Sequence, residues 1–363
     1  MFLDNGDSAE FYPLNALKKV QELHFGVRTI AKQWQEVLRD NPQIQIHSRL
    51  LPTQDNVSAV LGLMDGDGWT RHGELVAMRG NEAVNLKELP DDALWLKDAA
   101  HLFELCGVGL AEDLSRLQLA WRLRALQENE REAWQAQGVQ IHGPMSSVWL
   151  APGAVLRDVS LNTEEGPVVV GPDAEIMEGC RVRGPFALGD GSQLRMGTLV
   201  YGATTVGQGC KMGGELSNVV VHDWSNKAHG GFLGNAVLGS WCNLGAETTC
   251  SNLKNTYGVI AEWSEGSQSF ESKGRQFCGL LMGDHSKTAI HTAFSTATVV
   301  GVMANVFGDQ TPPRHVQSFQ WGVDGTARID LDKGLEVARK VMARRKRNMS
   351  ADEEHAIRAL FLR

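Results

Sequence analysis

The stretch that decides the fold runs from Val170 to Met212 and reads VGPDAEIMEGCRVRGPFALGDGSQLRMGTLVYGATTVGQGCKM. Aliphatic residues fall at Val170, Ile176, Val182, Leu188, Leu194, Val200, Val206 and Met212, eight in succession at a spacing of six. With aliphatics at roughly a quarter of positions, chance fills such a comb about once in 10^4–10^5 starts. A period of six does not match a helical heptad, and a hairpin meander does not hold so strict a count. A parallel β-helix does. Each hexad supplies one short strand and one corner, three hexads close a coil, and the anchor side chains point inward. Glycine follows three of the anchors directly, as Gly171, Gly189 and Gly207, where a corner asks for backbone angles that other residues resist. Coils stack at the interstrand spacing of about 4.8 Å. The ladders of buried anchors are then the main source of stabilisation.

The comb breaks after Met212. The polar segment Ser217–Gly231 is expected to loop out of the prism, and Ser264–Gly274 to make a second excursion. The period returns at Leu238 and Leu244, and again around Met282, Val300 and Val306. Beyond it, Leu331, Leu335, Ala338 and Met342 make one apolar helix face. A second helix opens with the capping box Ser350-Ala-Asp-Glu353 and carries Ile357, Leu360 and Phe361. These helices are expected to cap the solenoid, whose ends need covering. On the N-terminal side the chain reads as mixed α/β. Ile44–Ile46 and Glu74–Met78 look like strands, and Val27–Leu38 and Glu112–Trp134 like helices, with Gly138 as a helix exit. The expected domains are residues 1–138, α/β; 139–325, β-helix; and 326–363, a helical cap.

The composition agrees with a soluble globular chain. Of 363 residues, 42% are hydrophobic and 21% charged, which argues against disorder. Of 39 glycines, 26 lie between Gly143 and Gly308, a density that a helical bundle would not tolerate. The net charge of -8 offers no broad attraction to nucleic acid or anionic membrane, and neither partner is expected. The start, MFLDNGDSAEF, lacks a charged-then-apolar leader, and no run of 18 apolar residues offers a membrane span. The six cysteines form no C-x-x-C pair, so they read as small buried hydrophobes in a reducing cytoplasm.

Lys211–Tyr257, KMGGELSNVVVHDWSNKAHGGFLGNAVLGSWCNLGAETTCSNLKNTY, resembles a known family. It is similar to the acyltransferase half of bacterial enzymes that join a glucosamine-1-phosphate acetyltransferase to an N-acetylglucosamine-1-phosphate uridyltransferase. The compact variant found in Bacteroidetes is similar also at MGDHSKTAIHTAFSTATVVGVMANVFG (Met282–Gly308), at PPRHVQSFQWG and, more loosely, at the opening FLDNGDSAEFYPLNALKKVQELHFGVRTIAKQWQ. The resemblance implies an α/β nucleotidyltransferase-like domain, a left-handed parallel β-helix with C-terminal helices, and a homotrimer. It also implies acetyl-CoA or another acyl-CoA as cosubstrate, a small-molecule sugar phosphate as acceptor, and Mg2+ with a nucleoside triphosphate if the first domain is active.

Carried over residue by residue, the resemblance makes His229 the catalytic histidine, a general base of suitable pKa. It places Lys227 near the sugar, where an ammonium can hold phosphate. Asn243 and Asn252 match asparagines that contact the sugar, with amides that both donate and accept. Ala246 matches a position whose backbone contacts the acyl carrier. Lys211 and Arg195 are further candidates for phosphate or ribose. Phe232 and Leu253 stand where the family has tyrosine, and Ile290 where its better-known members have serine. In the first domain, Asp4 and Asp7 are candidates for magnesium, and Lys18, Lys19 and Arg28 for phosphate, although a glycine-rich loop is missing there. Two bland alternatives stand beside this reading. One is an acyltransferase with a non-catalytic first domain. The other is a scaffold, or a zinc site built from His222, His229, His285 and His291. Their spacings of seven and six do not match the His-x4-His element of zinc-binding hexapeptide proteins, so no metal ligand is assigned. The basic run Arg339–Arg347, with six positive charges, reads as a solvated helix face.

Overall fold

The computed structural model describes residues 1–3 and 9–363, so the candidates Asp4 and Asp7 lie outside the described residues. From Gln140 to Trp321 the chain winds through short strands that pair in parallel, coil upon coil, in three columns. The first column runs through Leu156, Ile176, Leu194, Met212 and Lys227. The second runs through Ile141, Leu161, Val182, Val200, Leu216 and Leu233. The third runs through Leu150, Val170, Leu188, Val206, Val221, Leu238, Met282, Val300 and Val316. All eight anchors of the sequence comb are buried in one continuous core. This is the arrangement of a parallel β-helix, and the comb is its inward face.

Ser217–Gly231 does not loop out. Glu215–Val221 is one strand crossing two faces, and Asn226–Lys227 returns to the first column. The period breaks for two physical reasons. The corners here are shorter, four residues from Met212 to Leu216 and five from Leu216 to Val221. The next inward position is then taken by a lysine, Lys227, in place of an aliphatic residue. The second excursion is a hairpin, Ala261–Ser264 paired antiparallel with Ser269–Ser272.

The N-terminal region holds a four-stranded sheet in the order Ile44–Ile46, Glu74–Arg79, Asp67–Arg71, Asn85–Glu88. Around it lie α1 (Ile30–Val37), α2 (Gln54–Leu61), α3 (His101–Glu104) and α4 (Cys106–Ala120). The helix expected over Glu112–Trp134 is split. It ends at Ala120, Arg122 takes a left-handed φ of 51°, and Arg124–Ala125 pairs with Val148–Leu150 of the prism. Tertiary pairing overrides the helical pattern there, and α5 (Arg131–Gln135) follows before the exit at Gly138. This region lies against the third face of the prism. Leu110 and Leu117 of α4 pack with Val169 and Ala187, and Phe103 and Cys106 share a core with Val220, Val237 and Val299.

The C-terminal helices α6 (Leu331–Ala343) and α7 (Ala351–Leu362) sit over the last coil, with Leu335, Ala338 and Ile357 against Val302, Met303 and Phe319. They do more than cap the end. The end of α6 runs back along the prism as far as Asn226, reached by Arg345. All six cysteines are free and buried. Among the described residues no helix is long and apolar enough to cross a membrane.

Candidate functional site

The return of α6 roofs a groove of about 700 Å³ on the first face of the prism. Its floor comes from successive coils. Lys211, Asn226, Asn243 and Lys287 occupy matching outward positions, because register places each above the last. One corner supplies His229, Ala246 and Ile290, again coil above coil. The roof is Val341 near the C-terminal end of α6, with Arg344 and Arg345 in the turn that follows it. A volume of this size suits a drug-sized or sugar-phosphate ligand.

The groove is electropositive. Burial pulls the pKa of Lys211 below its usual range, and the guanidinium groups of Arg345, Arg195 and Arg344 add to that. Lys287 is lowered too, chiefly by burial, while its Nζ donates to the carbonyl of His285 at 2.9 Å. Four cations lining one cleft concentrate a field that favours an anionic ligand. Beside them the His229 imidazole is exposed and has no hydrogen-bond partner among the described residues. The Asn243 side chain is likewise exposed and unbonded.

His229, Lys211, Asn243 and Ala246 are thus brought together. Arg195 is one coil below Lys211, close enough to act on its charge, and leans on Gln193 Oε1 at 3.4 Å. Asn252 is elsewhere, at a different corner, where its amide donates to Asn235 Oδ1 at 2.7 Å. Lys227 is not presented to the groove. It points into the prism, and its Nζ donates to the carbonyls of Gly213, His229, Gly230 and Gly231 at 3.3, 3.1, 2.8 and 2.7 Å. Sequence reasoning missed Lys287, Arg344 and Arg345. The basic run Arg339–Arg347 was the available signal, but nothing local says that the turn after α6 brings Arg344 and Arg345 onto the prism.

Two of the three phosphate candidates in the N-terminal region are occupied, and the third, Lys19, is exposed. Lys18 Nζ lies 3.0 Å from Asp284 Oδ1 and donates to Ser240 Oγ at 3.1 Å. Arg28 is buried, donating from Nε to Asp113 Oδ1 at 3.0 Å and from Nη1 to Glu36 at 2.6 and 2.7 Å. Both serve the packing of that domain and its seat on the prism. The four histidines do not converge. His222 is buried and accepts from the His24 N–H, His285 stacks on Trp241, and among the described residues no cluster of three or more His, Cys, Asp or Glu could hold a metal ion.

The amino-acid sequence is similar in part to those of known proteins. The chain is 30% identical over 168 residues to the bifunctional protein GlmU of Synechococcus elongatus, 38% of this chain and 35% of that one. It is 26% identical over 254 residues to GlmU of Synechococcus sp. strain JA-3-3Ab, 64% of this chain and 36% of the relative. With GlmU of Thermodesulfovibrio yellowstonii it shares 22% identity over 201 residues, 49% of this chain and 41% of the relative. The chain is a distant relative of the bifunctional GlmU proteins. It spans about a third of the length of the first of these GlmU relatives. No family model matches it. The similarity to GlmU is distant and partial.

Proposed function

We propose that the chain is an acyl-CoA-dependent N-acyltransferase acting on an amino-sugar phosphate, with the groove under α6 as its active site. The observation that carries this reading is the juxtaposition of an unbonded imidazole, His229, with the cations Lys211, Lys287, Arg344 and Arg345. Acyl transfer to an amine needs a base for the ammonium proton and positive charge for the anionic groups of both substrates. His229 takes the proton from the amine. The freed nitrogen lone pair forms the bond to the thioester carbonyl carbon, the carbon–sulfur bond breaks, the new amide nitrogen gives up its second proton to solvent, and the leaving thiolate takes up the proton held by His229. Arg344, Arg345 and Lys211 fit phosphate groups, as a guanidinium fork and a point charge do. Asn243 serves sugar hydroxyls, and Arg195 lies at the margin. Ala246 lines the wall along which the acyl carrier runs.

The first domain is proposed as a non-catalytic module. Lys18 and Arg28 are committed to carboxylates, which leaves the exposed Lys19 as the remaining phosphate candidate among the described residues. A homotrimer in the cytoplasm completes the proposal, on the strength of the family relation.

The test is thiol release from acetyl-CoA by the full chain over a panel of amino-sugar phosphates, with pyrophosphate release from nucleoside triphosphates assayed in parallel. Thiol release that requires an amine, with no pyrophosphate, supports the reading. Pyrophosphate release without thiol release overturns it.

A further inference from the structure

Lys227 sits where the repeat calls for an aliphatic anchor. Its column neighbours Ile176, Leu194 and Met212 are buried apolar residues, and so is Leu244 on the next coil. Lys227 is 1% exposed. Burying an ammonium is costly unless hydrogen bonds satisfy it, and here four carbonyls do. Three of those carbonyls, from His229, Gly230 and Gly231, belong to the corner that follows Lys227 itself. The lysine has therefore wound its own corner around its charge.

The surroundings are shaped to allow this. Gly214 has φ +78°, and a Cβ there would stand 2.8 Å from Lys227 Nζ and 2.5 Å from the Gly231 carbonyl oxygen. Gly231 has φ +99°, and its side of the corner abuts the Thr248 carbonyl. A corner with two adjacent glycines has little stiffness of its own. What holds it is the ammonium at its centre.

We propose that Lys227 is a positioning residue, its buried ammonium fixing the corner 228–231 and so the direction in which His229 enters the groove. This rests on the reading of His229 as the base. It has a consequence in pH. Burial lowers the Lys227 pKa to about 8, with the Glu247 carboxylate of the next coil opposing that shift. Glu247 is the charged group facing it from the coil above, His229 is the titratable group of its own corner, and the coil below brings Gly213 and Gly214 with no charge. Above about pH 8 the amine keeps two donors and no charge, and its hold on the carbonyls weakens. A lone histidine base would instead stay active as pH rises.

The experiment compares the full chain with Lys227→Met. For the wild type, turnover should fall above about pH 8. The folded Met variant should lose about 10- to 100-fold in kcat, keep KM for acetyl-CoA within about 3-fold, and lack the alkaline limb. A Met variant with wild-type kcat and pH profile would overturn the proposal. Backbone hydrogen exchange of the wild type at pH 7 and pH 9, corrected for intrinsic rates, decides the case if the variant does not fold. Loss of protection confined to the amides tied to this corner, Glu215 N–H on the Gly231 carbonyl and Phe232 N–H on Thr249 Oγ1, supports it, and unchanged protection overturns it. If the wild type transfers no acyl group to any amine, the acyltransferase reading fails, and the exchange result still decides whether Lys227 holds the corner.

Discussion

Arg345 Nη2 donates to Asn226 Oδ1 at 2.8 Å, joining the turn after α6 to a coil 119 residues earlier in the chain. Beside it, the Arg347 guanidinium lies 4.9 Å from the centroid of the Trp224 ring. These two contacts hold α6 down over the groove and keep Arg344 and Arg345 at its mouth. Arg345→Ala should raise KM for acetyl-CoA about 5- to 20-fold with kcat changed less than about 2-fold, the loss of one charge-assisted contact. Arg345→Lys should recover part of that. Steady-state kinetics checks both, and an unchanged KM in the Ala variant would remove Arg345 from substrate binding.

Neighbouring glycines of the His229 corner should respond differently. A Cβ on Gly230 meets only the end of the flexible Glu247 side chain, which can swing away. A Cβ on Gly231 meets the Thr248 backbone carbonyl at φ +99°, where neither partner can move cheaply. Gly230→Ala should cost under about 1 kcal/mol and Gly231→Ala about 2–4 kcal/mol of unfolding free energy. Urea titration of both variants measures the contrast.

Much of the fold was legible because its physics is local and periodic. The eight anchors from Val170 to Met212 are buried as the comb requires, and the Ser350–Glu353 capping box does open α7. The failures are places where distant contacts decide. Arg124–Ala125 left a helical pattern to pair with the prism, and Lys227 took an inward position that a search for aliphatics passes over. In the site, His229, Lys211, Asn243 and Ala246 share a groove because the coil register aligns them. Asn252 does not join them, since it follows an anchor on a different face and meets Asn235 instead. Arg344 and Arg345 looked like a solvated run because nothing near them in sequence says that α6 turns back along the prism.

One guanidinium fastens the hairpin excursion to the first domain. Arg275 bonds Asp98 at 2.8 and 2.9 Å, Glu104 at 2.7 Å and Glu262 at 3.2 and 3.0 Å. Asp98 and Glu262 are 7% and 3% exposed, so removing the cation leaves the Glu262 carboxylate buried without its cation and Asp98 with Lys273 at 3.9 Å and the His101 N–H. Arg275→Ala should destabilise the chain by about 3–5 kcal/mol. A change within about 0.5 kcal/mol in urea unfolding would show that the clasp is not needed.

His285 predicts a sign for stability against pH. Burial, then the charges of Lys287 and Lys18, lower its pKa to about 3 from the usual 6.5. Between those values the unfolded chain binds the proton and the folded chain does not, so stability rises with pH and is lost as pH falls below 6.5. Its share of the slope is about 1.4 kcal/mol per pH unit. His285→Asn, with a residue that accepts the φ of +62° found there, should flatten the curve by that amount. Unfolding curves between pH 4 and pH 7 test this, and parallel slopes for the two proteins would contradict it.

Acyl transfer with and without the His229 imidazole decides whether the groove under α6 is the active site. The measurement is amine-dependent thiol release from acetyl-CoA by the wild type and by His229→Ala, both shown to be folded. In the variant kcat should fall about 10^2- to 10^4-fold, the usual weight of a general base, with KM for acetyl-CoA nearly unchanged. Equal rates in the two proteins would contradict it and leave the groove without its base.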